Sequence, residues 1–233
     1  MRCIIKLIFS SIILTANIYP EVLYNSSYDL LKLLIEKTGW VNDGEENGFS
    51  LSKKLIKNKD LYALRVQKKV GFSPDIIQEI LIDVNNYDQF LSKSNNIKSY
   101  ELNRSNKWVD AYQFIENNIP FLDNREYCFR ISKEGLDDSD KISLVHWYLL
   151  EKNYYDTSHL VKNNKSIYLN YGAGLWLAEE QFDQSVMISY IIYIDPGGSI
   201  PDFLIDKANR VSLVNILEDT IIEANRRINL KNS

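Results

Sequence analysis

The sequence predicts an α+β fold in which an antiparallel β-sheet is covered by one long C-terminal helix. Most of the chain from residue 40 to residue 195 reads as short strands separated by turns. Only the segment 200–228 has an apolar repeat of three or four residues that is long enough for an extended helix. Several strands are apolar on both faces, so the far side of the sheet must be covered as well.

The elements before residue 91 are separated by residues that stop or start regular structure. Apolar side chains at helical spacing are followed by Gly39, which ends the first helix. Ser73, Pro74 and Asp75 combine a cap residue, a proline and an acid, a combination that favours a helix start. The predicted elements are a helix over 28–37, a hairpin over 40–54, a strand over 61–70, a short helix over 73–83 and a loop over 85–91.

Six further strands fill the middle of the chain before the final helix. An acidic turn at 135–140 separates the third from the fourth. Because no repeat, low-complexity tract or linker follows Gly39, we expect one domain over 28–231. The six predicted strands are 97–103, 108–116, 125–132, 142–151, 167–178 and 186–195.

Residues 1–20 have the organisation of a secretory signal peptide. Arg2 and Lys6 give a cationic start, and an apolar run extends to Ala16. That run is shorter than the roughly 20 residues of a comfortable membrane span. Leu14 and Ala16 do not form a small-x-small cleavage pair, so an uncleaved, membrane-tethering anchor is the alternative to cleavage near Ala16. We therefore expect a periplasmic or secreted protein.

The composition argues against several classes of partner. The 233-residue chain has a formal net charge of −4 and scattered lysines, whereas nucleic-acid binding usually leaves a basic patch. Cys3 falls in the signal segment, which leaves Cys128 without a partner for an intramolecular disulfide in the mature chain. One cysteine and two separated histidines give no zinc spacing. We expect a monomer with no nucleic acid, metal or cofactor.

The stretch I-D-P-G-G-S-I-P-D-F-L at 194–204 has the setting of a nucleophile elbow, with a serine between a strand and a helix. The elbow needs glycine where this chain has Pro201, and Ser199 with Asp202 instead fits a helix-capping box. The potential bases His146 and His159 fall in a strand and in a polar loop. We therefore predict no catalytic residue.

Large aromatic side chains are concentrated in the predicted strands. They fit a solid core, and they equally fit the lining of a cavity on the concave side of a curved sheet, where phenol and indole groups offer polar contacts. The residues are Tyr112, Phe114, Phe129, Trp147, Tyr148, Tyr171, Trp176 and Tyr190.

Three motifs carry a resemblance to a known family. Asp195 through Pro201 reads D-P-G-G-S-I-P ahead of the final helix. The segment 119–127 has a proline, then an arginine, an acid and an aromatic residue, with Glu126 where the family usually has Asp. Gly39-Trp40 followed by Gly48-Phe49 matches the family's opening. With the order of elements, these motifs over 28–230 resemble the START (StAR-related lipid-transfer) family of the helix-grip superfamily.

The resemblance implies an α+β helix-grip fold: a curved antiparallel sheet wrapped around the C-terminal helix, with an N-terminal helix and a short helix after the third strand. It also implies an internal tunnel for one lipid or sterol, and lipid transfer through transient membrane contact. The implied lid and hinge residues are Pro120, Phe121, Arg125, Gly197 and Gly198. The candidate cavity residues are Tyr112, Phe114, Phe129, Ile131, Trp147, Trp176, Tyr190, Phe203 and Leu204.

Several family members hold a ligand head group with an acidic and a basic residue in the tunnel. By the resemblance these positions match Tyr112 and Ile131, so the charge pair is absent here. Arg130 is one residue away and therefore on the opposite strand face. Hydroxyl donors such as Tyr112 or Tyr190 are then the candidate anchors.

The leading hypothesis is an exported, non-enzymatic protein that binds and transfers a single lipid, sterol or similar apolar ligand. One alternative is a helix-grip enzyme of the polyketide cyclase or aromatase type, which would need His146 or Glu116 as a titratable group inside the cavity. A second alternative is an interaction module whose surface at 118–125 and 199–206 changes with lipid occupancy.

Overall fold

A computed structural model describes residues 25–56, 59, 61–94, 96–117, 123–135, 142–160, 165–198, 200 and 202–231. It describes the side chains of these residues except 25, 26, 94, 135 and 202–208. The signal segment 1–20 lies outside the described residues, and so do Ser199 and residues 136–141, which include all of the predicted acidic turn except Gly135.

One mixed but largely antiparallel sheet of ten strands forms the body of the protein. Its strand order is β1-β2-β3-β10-β9-β7-β6-β5-β4, and the short strand β8 pairs with β6 off this path. Every pair is antiparallel except β6 with β8. The strands are β1 Val41–Glu46, β2 Phe49–Leu55, β3 Tyr62–Val70, β4 Ile97–Arg104, β5 Trp108–Ile115, β6 Asn124–Gly135, β7 Ile142–Leu149, β8 Ser166–Tyr168, β9 Gly172–Glu180 and β10 Val186–Ile194.

The helices are α1 Asn25–Ile35, α2 Asp75–Ile82, α3 Tyr87–Phe90 and α4 Asp202–Lys231, with 3-10 turns at Val84–Asn86 and Ser92–Ser94. The curved sheet and long C-terminal helix confirm the predicted helix-grip fold class. The expected loop over 85–91 is wrong, because this segment coils into a 3-10 turn and α3. Tyr87 anchors it by donating a hydrogen bond to the carbonyl of Leu81 at 2.6 Å.

The single strand expected over 167–178 is also wrong. β8 lies parallel to β6, where Asn124 pairs with Ser166, whereas β9 lies between β7 and β10. One straight strand cannot serve both neighbours, so the chain turns before Gly172. The amide of Leu169 donates to the carbonyl of Glu126 at 2.9 Å, which ends the β8 pairing.

Both faces of the sheet are covered, and each carries its own apolar cluster. On the inner face α4 and α2 pack against the strands, with Leu217 and Ile80 fully buried. On the outer face α1 supplies Leu30 and Leu34, which are also fully buried. The N-terminal helix therefore provides the cover on the far side of the sheet that the apolar strands predicted.

Within the described part of the chain, none of the helices combines the length and the apolar character of a transmembrane segment.

Candidate ligand-binding cavity

A cavity of about 220 Å³ lies between the inner face of the sheet and α4. Strands β4 to β7, β9 and β10 form its floor, and the segment 81–97 and α4 form its walls. The side chains that line it are Leu81, Tyr87, Phe90, Leu91, Asn96, Ile97, Gln113, Ile115, Tyr127, Phe129, Ile131, Trp147, Trp176, Tyr190, Ile192, Ile194, Asn209, Ser212, Leu213, Ile216 and Thr220.

The lining is aliphatic and aromatic with a few neutral polar groups. Among the lining residues that the structure describes, none carries a charged side chain. The volume is below the ~300–1,000 Å³ usual for sites that enclose drug-sized ligands. The cavity therefore suits one slender, largely apolar molecule.

An aromatic wall runs across the floor of the cavity. Trp176 and Tyr190 are directly paired across β9 and β10, and their rings stack with centroids 4.0 Å apart at 12°. Phe129 meets Trp147 edge to face at 6.4 Å and Tyr127 at 5.9 Å. These contacts fix the ring orientations, because each ring is held by a neighbour on its own strand or on an adjacent one.

Gly174 makes room for one of these rings. It pairs with Trp147 across β7 and β9, and a β-carbon at Gly174 would lie 2.7 Å from the Trp147 indole. The same β-carbon would lie 2.8 Å from the backbone carbonyl oxygen of Ile191. Only glycine lets the indole lie flat against the strand here.

The hydroxyl groups deep in the cavity are buried and neutral. Burial raises the pKa of Tyr87, Tyr127 and Tyr190 well above the ordinary value, so all three remain protonated. Tyr127 donates its proton to Oε1 of Gln113, and Gln113 Nε2 donates to Oγ of Ser99 at 2.8 Å.

The helical wall is fixed to the segment between α2 and β4. Asp219 accepts hydrogen bonds from the Lys93 amide at 2.9 Å and from Ser92 Oγ at 3.3 Å. Near the end of α4, Arg227 pairs with Asp83 at 2.7 Å. Since Ser212 lines the cavity and is exposed to solvent, the cavity opens beside it.

The structure brings five of the nine candidate cavity residues together around this space: Phe129, Ile131, Trp147, Trp176 and Tyr190. Contact of these residues with a ligand stays a prediction. The side chains of Phe203 and Leu204 lie outside the described part of the chain, although both residues belong to α4.

The prediction that Tyr112 and Phe114 line the cavity is wrong, because both point to the outer face. Tyr112 pairs with Cys128 across β5 and β6, so it shares a face with Cys128 and not with Phe129. Both side chains join the outer cluster, and Tyr112 donates to Glu126 Oε2 at 2.6 Å. The residue of β5 that does face the cavity is Gln113.

Arg125 joins the start of β6 to the glycine turn before α4. Its Nε donates to the carbonyl of Pro196 at 2.7 Å, and its Nη2 donates to the carbonyl of Gly197 at 3.2 Å. Gly197 and Gly198 have φ angles of +60° and +72°, which side-chain-bearing residues rarely adopt. The predicted hinge residues therefore form one joint, whereas Pro120 and Phe121 of the expected lid lie outside the described residues.

Neither candidate general base faces the cavity. His146 is buried on the outer face with Nδ1 3.8 Å from Glu134 Oε1, and burial lowers its pKa to about 4. Glu116 is exposed and does not belong to the lining. The enzymatic alternative thus loses the two groups on which it rested.

Arg130 lies on the outer face, as strand alternation requires. Its Nε and Nη2 donate to the two carboxylate oxygens of Asp110 at 2.6 and 2.7 Å, and Tyr155 donates to the same carboxylate at 2.7 Å. The Trp108 ring covers the guanidinium at 4.0 Å. This ion pair joins β5 and β6 and is turned away from the cavity.

Comparison with solved structures defines the fold. A STAR-related lipid transfer protein from Xanthomonas axonopodis superposes with a TM-score of 0.67 at 17% identity, covering 80% of this chain and 99% of that one. Human STARD10 gives a TM-score of 0.70 at 14% identity, covering 91% and 87%. Human StAR-related lipid transfer protein 5 gives 0.63 at 12%, covering 86% and 93%. The chain has the START fold.

No family model matches the sequence, and comparison with curated proteins gives no significant match. The START fold is thus kept here with few identical residues. The motifs at 125–127 and 195–198 are in direct contact, because Arg125 donates hydrogen bonds to the carbonyls of Pro196 and Gly197.

Three polar residues of the lining were not predicted from the sequence, namely Gln113, Tyr127 and Tyr87. The alternation Arg125, Tyr127, Phe129 along β6 was the available signal for Tyr127.

Proposed function

We propose that the protein is an exported, non-enzymatic carrier that binds one lipid or similar apolar molecule and moves it between membranes. The observation that carries this proposal is the cavity between the sheet and α4, whose described lining is mainly aliphatic and aromatic and carries no charge. The START domains to which the chain is similar include proteins named for lipid transfer, which supports the same class of ligand.

The energetics of such a cavity favour exchange over irreversible capture. Each methylene that leaves water gains about 0.8 kcal/mol, so a free acyl chain strongly prefers the cavity to water. Moving from a bilayer to the cavity replaces one apolar environment by another and changes little. A carrier that works in both directions, as a monomer in transient contact with a membrane, needs this balance.

The absence of an acid or base in the described lining supports carriage over chemistry. Its titratable side chains are the three buried tyrosines, whose raised pKa values keep them protonated. General acid–base catalysis works best with a group whose pKa lies near the operating pH.

The direct test is native mass spectrometry of the purified protein, followed by lipid extraction. We expect a co-purifying apolar molecule in one copy per chain, released chemically unchanged. An empty protein that converts an aromatic or polyketide compound would contradict the proposal.

A pair of variants on α4 links any bound molecule to the cavity. Ser212→Trp places a large ring at the exposed mouth, where it blocks the cavity at little cost to folding. Ile222→Trp is the matched control, because Ile222 is 55% exposed and lies outside the lining. We expect Ser212→Trp to lose the co-purifying molecule and Ile222→Trp to keep it.

Export is proposed from the N-terminal segment, with cleavage near Ala16. The intact mass of the protein from its native compartment tests it. A mass that lacks about the first 16–20 residues supports cleavage, and a full-length mass in the membrane fraction supports the tethered alternative.

A further inference from the structure

Tyr190 has an unusual hydrogen-bonding position on the floor of the cavity. The phenol is 6% exposed and lies in the lining between the sheet and α4. Its oxygen interacts with the Trp147 side chain, whose indole N–H can only donate. The Tyr190 proton is therefore not used in that contact.

The other deep hydroxyls of the cavity already donate their protons within the protein. Tyr87 donates to the Leu81 carbonyl, Tyr127 to Gln113, and Thr220 to the Ile216 carbonyl at 2.7 Å. Tyr190 differs from them, since no acceptor for its proton is found among the described residues. The Tyr190 side chain lines the cavity, where an oxygen on a bound molecule can accept its proton.

The position of this donor is fixed before any ligand binds. The Tyr190 ring stacks on the Trp176 ring, with the centroids 4.0 Å apart at 12°. Trp147 is itself held over Gly174. A donor held in this way gains affinity, because little side-chain freedom is lost when the ligand binds.

The described surroundings of Tyr190 also favour an uncharged ligand. No lining side chain that the structure describes is charged, and Asp110 and Arg130 satisfy each other on the outer face. An ionised group buried without a counter-ion is strongly unfavourable. The part of the lining that the structure describes therefore offers no counter-charge to carboxylates, phosphates or ammonium groups.

We propose that the ligand is an uncharged apolar molecule with one hydrogen-bond-accepting oxygen, and that the Tyr190 hydroxyl donates to this oxygen and determines specificity. The inference rests on the proposed function and names its ligand class. A ketone, ester or alcohol oxygen on a slender hydrocarbon meets the requirement, whereas a free fatty acid in its ionised form does not.

The test compares two probes of equal chain length, methyl heptyl ketone and nonane, by headspace gas chromatography over the full-length protein. Tyr190→Phe removes one oxygen and keeps the ring that stacks on Trp176. A net hydrogen bond of ~0.5–1.5 kcal/mol corresponds to about 2- to 12-fold in affinity. We expect Tyr190→Phe to weaken ketone binding by that factor relative to nonane binding.

Tyr193→Phe is the matched control, because Tyr193 lies on the same strand and belongs to the outer cluster. It should leave the ratio of the two affinities unchanged. Nonane binding to Tyr190→Phe also reports that the cavity is intact, so an unfolded variant cannot imitate the expected result.

Three outcomes would overturn the proposal in distinguishable ways. If the ratio of the ketone and nonane affinities is unchanged in Tyr190→Phe and both probes still bind, Tyr190 is not the anchor, but the proposed carrier function is unaffected. If nonanoate binds the wild-type protein as tightly as the ketone does in equilibrium dialysis, the proposed restriction to uncharged ligands is wrong. Failure of the wild-type protein to bind either volatile probe removes the carrier function as well.

Discussion

Gly174 shows how one residue shapes the cavity wall. The Trp147 indole occupies the space that a side chain at this position would fill, and Trp147 lines the cavity together with Tyr190. The pair Trp176 and Tyr190 continues the same surface across β9 and β10. Gly174 therefore makes room for the first of the three aromatic side chains that form this surface.

Gly174→Ala should destabilise the protein. The added β-carbon meets both the indole and a backbone carbonyl oxygen, and the backbone cannot move aside without disturbing the sheet. Overpacking of this kind costs about 1–3 kcal/mol, which urea unfolding measures. Gly71→Ala is the control, since a β-carbon there meets nothing within 4 Å. Equal stability of both variants would show that Trp147 is not confined.

His146 should make stability depend on pH. Burial lowers its pKa in the folded protein to about 4, while the unfolded chain titrates near 6.5. Between these values the unfolded state binds more protons, so stability falls as the pH is lowered from about 6.5 to about 4. The loss from this group is about 3 kcal/mol.

The measurement is urea unfolding of the wild-type protein and of His146→Leu as a function of pH. The variant should lack this part of the decline, so the stability difference between the two proteins changes by about 3 kcal/mol between neutral pH and pH 4. Glu134 faces the ring with a pKa raised by burial and contributes with the opposite sign in both proteins. Parallel curves would contradict a buried neutral imidazole.

At the scale of elements, α4 is attached to the sheet at separate points along its length. Near its start, the glycine turn is held by Arg125. Further along, Asp219 holds the Lys93 amide and Arg227 holds Asp83. The cavity lies between the first of these attachments and the others, so we expect the glycine turn to be the hinge that opens it.

Arg125→Met should weaken that hinge. The substitution keeps an apolar stem and removes the donors to the carbonyls of Pro196 and Gly197, which costs about 1–3 kcal/mol. Hydrogen exchange should become faster at 195–198 and at the start of α4. Arg104→Met is the control, because this exposed arginine pairs with Glu101 at the surface, where ion pairs contribute ~0–1 kcal/mol. Unchanged exchange at the turn would show that Arg125 is not its anchor.

The strands and helices that are delimited by Gly, Pro and alternation could be predicted from the sequence, and the D-P-G-G turn indicated the fold. The face of β5 could not, because this strand is apolar on both sides. Only its pairing with β6 shows that Tyr112 and Phe114 point outward and Gln113 inward. Pairing register depends on contacts between strands, which a periodicity within one strand does not contain.

The cavity wall on α4 was only partly predictable for a related reason. The apolar repeat of the final helix includes Val214, Leu217 and Ala224, which pack into the inner cluster. The cavity is lined by their neighbours Leu213 and Ile216, which pack in the same cluster. A moderate rotation of the helix would exchange the two sets, and the sequence does not fix the rotation.

At the scale of the whole molecule, the two faces of the sheet are packed differently. The outer face is a solid core in which Leu30 and Leu34 of α1 and the aromatic residues Tyr112 and Phe114 are fully buried. The inner face has a cavity of about 220 Å³ between its aromatic wall and α4. We therefore expect the ligand to bind on the inner face alone.

The tryptophans allow this central claim to be tested directly. Trp147 and Trp176 line the cavity, whereas Trp40 and Trp108 pack outside it, against Lys54 and Arg130 respectively. A brominated long-chain ketone quenches the fluorescence of tryptophans that it contacts, and the unbrominated ketone is the control. We predict that quenching persists in the Trp40→Phe/Trp108→Phe double variant and is lost in Trp147→Phe/Trp176→Phe. Quenching that instead follows Trp40 and Trp108 would contradict a ligand held between the sheet and α4.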